Sequence, residues 1–354
     1  MAIASEPFYG CLCLETASAR PLPANDARQS ANCSLPEIHF NIWEHPEGSK
    51  AFLDIGLMLD IDDPAEKIEL FLPWQVQQSQ VEDLAGRILA SNGISAVFNE
   101  SWASSTANNR AGAYVTRNDG TIFSVVPCIL PKVVQRSHPA GVWYSIEFDV
   151  VEIRRVALSA GALGTVSSLK DMYVRIRVKD VPANFYRVGI DQGDALGGGA
   201  LNRTEIIDFR MNVRRGAPSA FETSVSGRFL EFSKVHLFLM KARDHDLIFE
   251  DKNFKACRSL EDEEFWATYI LPHAATQNQI EKSRERVKNS LGYQWRRSSN
   301  SATAPVVEFG ILARFKSFYL PKKAIMIFSL LAVLLGLAGN GIYDLLKYWI
   351  LSIF

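Results

Sequence analysis

Residues 51–61 read Ala-Phe-Leu-Asp-Ile-Gly-Leu-Met-Leu-Asp-Ile, with Leu53, Ile55, Leu57, Leu59 and Ile61 in one phase and Asp54, Gly56, Met58 and Asp60 in the other. Successive side chains of a strand point to opposite faces, so this two-residue period predicts a strand with one face buried and one exposed. The pattern extends outward from there. Upstream, before the turn-like Pro46-Glu-Gly-Ser49, Ile38, Phe40 and Ile42 alternate with His39, Asn41 and Trp43. Downstream, Ile68, Leu70 and Leu72 keep the period until Pro73, which cannot donate to a ladder, halts it. Residues 113–117 and 121–126 flank Asn118-Asp119-Gly120, a hairpin signal. Further strands are expected at 143–153, 172–179, 204–213 and 234–240.

Helices are fewer. Ser79 with Glu82 makes a capping-box pattern ahead of Leu84, Ala85, Ile88 and Leu89, with Asn92-Gly93 as the stop. Ser259 with Asp262 precedes Phe265, Trp266, Tyr269 and Ile270, ended by Pro272, and 277–291 reads as a charged surface helix. Strands at short spacing without regular intervening helices predict a mainly β (α+β) domain, an antiparallel β-sandwich or barrel-like body with a few helices. The expected organisation is a flexible lead-in (1–35), a β-rich domain (36–295), a linker with a basic juxtamembrane segment (296–323) and a terminal helix (324–354). The β-rich part is open to division into two units, 36–135 and 140–295. Within the juxtamembrane stretch, 306–319 is an amphipathic piece suited to a last strand or to lying against a bilayer.

Residues 324–343 carry no charge and include an almost wholly apolar run from Ile325 to Ala338. Twenty residues at 1.5 Å each reach roughly 30 Å, the thickness of a bilayer's hydrocarbon core, which predicts a transmembrane helix. Arg314, Lys316, Lys322 and Lys323 precede the run, and Lys347, offset by Asp344, follows it. The positive-inside rule then puts the N-terminal domain in the cytoplasm. The first 14 residues lack a basic n-region and hold Glu6 and Pro7, so no signal peptide is expected and the topology reads as tail-anchored. Gly339-Asn340-Gly341 is a turn-former expected to weaken or kink the helix, with Tyr343, Tyr348 and Trp349 beyond it as interfacial residues. Ser329, Ala332, Gly336 and Gly339 recur at three- and four-residue spacing, a face of small side chains through which membrane helices self-associate.

The formal net charge is −1, which excludes a global field toward nucleic acid, and no specific nucleic-acid binding is expected. Five cysteines at wide spacing, without a Cys-x-x-Cys pair, point to reduced thiols and to neither a disulfide framework nor a metal centre. No cofactor motif is present. Asp244-His245-Asp246 places carboxylates beside an imidazole but reads as a polar turn. Gly193 to Gly199 is glycine-rich yet lacks the Lys-Ser/Thr of a phosphate-binding loop, and Asp60 to Asp63 reads as a strand end. The basic strands carry more. Tyr173, Arg175, Arg177 and Lys179 share one strand face, and Arg210 and Arg214 share another, with Arg215 adjacent. Adjacent strands would make them an anion-binding patch, because guanidinium forks fit phosphates. Cross-strand pairing with Glu147, Asp149 or Asp208 is the structural alternative.

The expected function is that of a membrane-anchored sensor or effector rather than an enzyme. Its β-rich domain binds a nucleotide or protein ligand, and it acts with membrane lipid as a homo-oligomer. Small β-domains with one span occur among bacterial immunity (anti-phage) effectors that disturb membranes, an analogy of architecture alone. The alternatives are a tail-anchored hydrolase-like enzyme assembled from residues such as Glu100, His236 and Asp244, and a scaffold that recruits partners to the membrane.

Overall fold

The computed structural model describes residues 11–16, 33–44, 50–89, 93–98, 104–108, 112–127, 130–138, 141–159, 169–192, 202–213, 228–271, 275–299, 304–318 and 322–353. In chain order the strands begin with β1 (Leu12–Thr16), β2 (Glu37–Glu44), β3 (Lys50–Asp60), β4 (Lys67–Leu72), β5 (Val81–Asp83) and β6 (Ser104–Asn108). Next come β7 (Gly112–Thr116), β8 (Ile122–Val125), β9 (Lys132–His138), β10 (Gly141–Asp149), β11 (Leu169–Pro182), β12 (Arg187–Gln192) and β13 (Asn202–Met211). The last are β14 (Arg228–Phe229), β15 (Lys234–Ala242), β16 (His245–Phe249), β17 (Phe254–Ser259), β18 (Ser290–Ser298) and β19 (Phe309–Phe318). The helices are α1 (Ala85–Ile88), α2 (Gly93–Phe98), α3 (Val150–Ser159), α4 (Glu263–Ile270), α5 (Gln277–Lys288) and α6 (Lys322–Ile353).

These strands form three sheets, and none closes into a barrel. The largest runs β17-β18-β15-β2-β3-β11-β8-β7-β6, with β5 also on β11; the others are β14-β1-β4-β10-β9 and β12-β13-β19-β16. Most pairs are antiparallel, as expected, but β15 pairs β2 and β11 pairs β8 in parallel. One face of the large sheet meets the two smaller sheets through the main core. There Leu53, Ile55, Leu57 and Leu59 of β3 join Ile38, Phe40 and Ile42 of β2 and Phe209, Ile311 and Phe315 of the four-stranded sheet. The other face was expected to meet water. Instead Leu84 and the helices α1, α2 and α4 cover it, the helices with Ile88, Ile94, Val97, Phe265, Trp266 and Tyr269, packed on Trp43, Met58 and Tyr173. Both phases of β3 are therefore buried, and the polar phase survives burial because its charges are paired.

Several local expectations yield to tertiary context. Residues 79–89 do not make one helix: Val81–Asp83 pairs with β11, placing Glu82 opposite Arg177, and Gly93 opens α2 instead of ending a helix. The expected strand 143–153 stops at Asp149, where Val150 begins α3. Asp262, not Ser259, caps α4, its carboxylate accepting from the Phe265 amide at 3.0 Å. Thr276 and Gln279 form a capping box at the start of α5. The stretch 296–323 is no separate linker, since β18 ends at Ser298 and β19 pairs with β13 over ten residues, burying Phe309, Ile311, Ala313 and Phe315. Cys11 and Cys13, in the expected lead-in, are buried at the sheet junction, where the Cys11 amide donates to the Arg210 carbonyl at 2.8 Å. Gly193 to Gly199, Arg214 and Arg215 lie outside the described residues.

Gly56 shows how tightly the covered face is built. It sits opposite Arg175 in the β3–β11 register, and a Cβ there would lie 2.2 Å from the Tyr173 hydroxyl. Tyr173 is fully buried, and its hydroxyl accepts from Arg175 Nη1 at 2.9 Å, so it has nowhere to swing. Gly56→Ala is expected to destabilise the domain by about 2 kcal/mol, within the range for overpacking a tight core. An unchanged melting temperature would show that Tyr173 has room to move.

The C-terminal helix α6 is 32 residues long, roughly 48 Å at 1.5 Å per residue, and passes through Gly339-Asn340-Gly341 without a break. Residues 328–350 are long and apolar enough to cross a membrane, and none of that window is buried against the domain. Ser329, Ala332, Gly336 and Gly339 fall within an arc of about 80° at 3.6 residues per turn. A Cβ at Gly336 or Gly339 would meet nothing, so the small-residue face is open.

Candidate functional site

The covered face of the large sheet carries a continuous polar stripe. β2 presents Glu37, His39, Asn41 and Trp43 to it, β3 presents Asp54, β11 presents Tyr173, Arg175 and Arg177, and β15 presents His236. At the centre Arg177 grips Asp54 with two nitrogens, Nε to Oδ1 at 2.6 Å and Nη2 to Oδ2 at 3.0 Å. Asp54 Oδ2 also accepts from Trp43 Nε1 and from the Tyr269 hydroxyl, each at 2.9 Å. Arg175 donates through Nε to the Tyr269 hydroxyl at 2.7 Å and, with the Asn41 amide oxygen turned toward it, through Nη2 to Asn41 at 2.9 Å. Burial alone would raise the Asp54 carboxyl, but Arg177, with help from Arg175 and Tyr269, outweighs it and leaves Asp54 below the usual carboxylate range.

This centre is structural. Arg177 donates to the Tyr269 and Ile270 carbonyls at 3.0 and 3.2 Å, and Arg87 donates to the Tyr269 and Leu271 carbonyls. Two arginines thus satisfy the last carbonyls of α4, the end where the helix dipole favours cations. The expected cationic patch is not assembled. Arg175 and Arg177 come together but are 1 % exposed, Lys179 pairs with Glu82 at the surface, and Arg210 lies in a different sheet. Arg210 pairs with Asp208 of its own strand, one of the partners the sequence offers.

At the end of β2 and β15 a cavity of about 260 Å³ opens between the large sheet, the four-stranded sheet and α5. Four cations line it, Arg187, Arg203, Lys241 and Arg286, against two carboxylates, Glu44 and Glu205, with Trp43, Met240, Ile270 and Val287 as its apolar wall. Lys241 is 2 % exposed and bridges Glu44, at 2.8 Å, and Glu205. Arg187 pairs with the same two acids. Burial pushes Glu44 up, but Lys241 and Arg187 more than offset it and hold it below its ordinary value. Arg286 makes no ion pair among the described residues, and burial lowers its pKa. A site with both carboxylates already engaged and Arg286 on its wall is suited to a small anion.

At the start of β2 lies a third grouping. Lys234 neutralises Glu37 at 2.9 Å, and the His39 and His236 rings meet edge to face with centroids 4.8 Å apart. Burial holds His39 below its usual value, and burial followed by the neighbouring His39 holds His236 down at about 2, so both imidazoles are neutral at neutral pH.

The remaining candidates separate. His236 lies near the start of β15 and Asp244 just past its end, roughly 26 Å apart at 3.3 Å per residue, so they share no site; Glu100 lies outside the described residues. Asp244 closes the turn into β16, whose first residues are His245 and Asp246, with His245 Nδ1 on Asp244 at 2.9 Å. Asp60 and Asp63 bond amides of their own turn, as expected of a strand end. The lining of the cavity was not anticipated from sequence. No protein-family model matches the chain and no curated protein matches it, so a function must come from this geometry.

Proposed function

We propose that this chain is a membrane-attached receptor whose β-rich domain binds a small anionic molecule, phosphorylated or carboxylated, in the cavity beside Lys241 and Arg286. The α6 helix is the anchor, and its small-residue face is where copies associate when the ligand is bound. Lys322 and Lys323 before the span favour a cytoplasmic domain by the positive-inside rule. A defence effector that disturbs the membrane is one form this receptor takes. The observation that carries the proposal is Arg286, in no ion pair among the described residues, on a cavity whose two carboxylates are already paired with Lys241 and Arg187.

The test combines one protein and three versions of it. The intact chain is expected to pellet with membranes and to need detergent, whereas a chain stopped at residue 321 stays in the soluble fraction. In thermal-shift titrations with phosphate, a mononucleotide and a dicarboxylate, at least one anion should stabilise the intact protein. Arg286→Ala should abolish that shift, and Gly336→Leu should leave it intact while blocking crosslinking between copies. Equal stabilisation of Arg286→Ala and the parent, or no response to any anion, would overturn the ligand assignment.

A further inference from the structure

The parallel pairing of β2 with β15 does something that neither strand does alone. In its register His236 lies opposite His39 and Lys234 opposite Glu37, which puts three metal-ligating side chains on one face. One ligand atom from each of Glu37, His39 and His236 lies within 4.8 Å of the other two. Atoms bound to one ion at 2.0–2.2 Å stand about 3.4 Å apart in a tetrahedron, so closure asks for side-chain shifts of about 1 Å. We infer that Glu37, His39 and His236 bind one divalent first-row transition ion of the zinc type, leaving a fourth position for water.

The surroundings match what such a site needs. Metal-bound imidazoles are usually oriented through their second nitrogen. Here His39 Nδ1 lies 3.5 Å from the Tyr173 hydroxyl, and His236 Nδ1 lies 3.3 Å from the Gln294 side-chain amide, which accepts from Nδ1–H once the amide turns its oxygen inward and Nε2 is the ligand. His39 Nε2 faces Glu37 Oε2 at 3.8 Å, and Lys234 occupies the other oxygen, Oε1. Aromatic rings wall the group, Phe98 edge-on to His39 and Phe238 stacked over His236. Glu37 and His236 are only partly buried, which gives an ion a way in. Two histidines and a carboxylate suit zinc, iron(II) or cobalt(II) and do not suit calcium or magnesium, which take oxygen ligands. The site lies at the opposite end of β2 from the anion cavity and does not depend on it.

The experiment uses the full-length protein in detergent, stripped with a chelator and titrated with Co²⁺ and then Zn²⁺. One equivalent of Co²⁺ is expected to give the visible bands of four-coordinate nitrogen and oxygen ligation, displaced by Zn²⁺ and accompanied by a higher melting temperature. His236→Gln and Glu37→Gln should each weaken Zn²⁺ binding at least about tenfold. Because His39 is more deeply set, His236→Gln is the decisive variant, with near-ultraviolet circular dichroism to confirm its fold. If His236→Gln fails to fold, the parent spectrum decides alone. Absence of the cobalt bands, a thiolate charge-transfer band that places the ion on cysteine, or undiminished binding by folded His236→Gln would each overturn the site.

Discussion

Asp54→Ala is expected to lower the unfolding free energy by about 3–5 kcal/mol, the cost of leaving buried charge without its partner. Asp54 is the one carboxylate bonded to Arg177 among the described residues, and it also lies 3.9 Å from Arg175 Nη2; both guanidiniums are 1 % exposed. Removing it strands two cations that cannot deprotonate at any working pH. The loss should therefore be the same from pH 5 to pH 9 and appear as a melting temperature lower by on the order of 10 °C. Trp43 Nε1 and the Tyr269 hydroxyl lose an acceptor as well, so Asp54→Asn, which keeps the shape, should recover only part of the loss. Asp54→Leu combined with Arg177→Met should be milder than Asp54→Ala alone, because fewer unpaired charges remain. A loss below about 1 kcal/mol for Asp54→Ala would mean that water reaches the guanidiniums, contrary to their burial.

Lys241→Ala should cost a similar amount at neutral pH, about 3–5 kcal/mol, but with a different pH signature. It leaves Glu44 and Glu205 sharing Arg187 as an ion-pair partner, without the ammonium that bridged them. In the intact protein Lys241 is the first of the groups that hold Glu44 low against burial. Without it burial is opposed chiefly by Arg187 and Tyr186, and the folded-state pKa of Glu44 is expected to rise above that of the unfolded chain. A group raised in the folded state binds its proton more readily there, so stability is gained as pH falls through the new value. The gap between Lys241→Ala and the parent should thus narrow between pH 7.5 and pH 5, by at least about 1 kcal/mol, roughly one unit of pKa shift. Urea unfolding at the two pH values measures it. A gap that stays constant would show that Glu44 is solvated, and would remove the basis for reading the cavity as a low-dielectric site for anions.

The two substitutions also show which kind of information local sequence carries. Period-two alternation in β2, β3, β4 and β15, the hairpin about Asn118-Asp119-Gly120, and the apolar length of α6 were all legible. Each is set by residues close in the chain: strand side chains alternate by backbone geometry, Gly120 takes the positive φ of 83° that its turn requires, and membrane length is a count of apolar residues. Local patterns failed where a distant partner competed for the same backbone. The capping pattern at Ser79 lost to pairing of Val81–Asp83 with β11, whereas at 306–319, suited to a last strand or to a bilayer surface, β13 supplied the ladder that made it the last strand.

The chemistry lay on the other side of that divide. A strand reading Tyr-x-Arg-x-Arg-x-Lys looks the same whether its cations face water or a buried aspartate, since alternation reports the face and not what covers it. Only the packing of α4 onto β3 and β11 turned Arg175 and Arg177 from a surface patch into the clasp that holds a helix end. Likewise Glu37 and Lys234 are 197 residues apart, and their pairing fixes the His39–His236 contact. By itself the sequence determined a β-rich domain and an apolar helix able to cross a membrane, because those follow from periodicity and length. The tertiary structure alone decided which charges were compensated, where the cavity opened and which ligands met, because each depends on free energies of burial and pairing between segments that only the fold brings together.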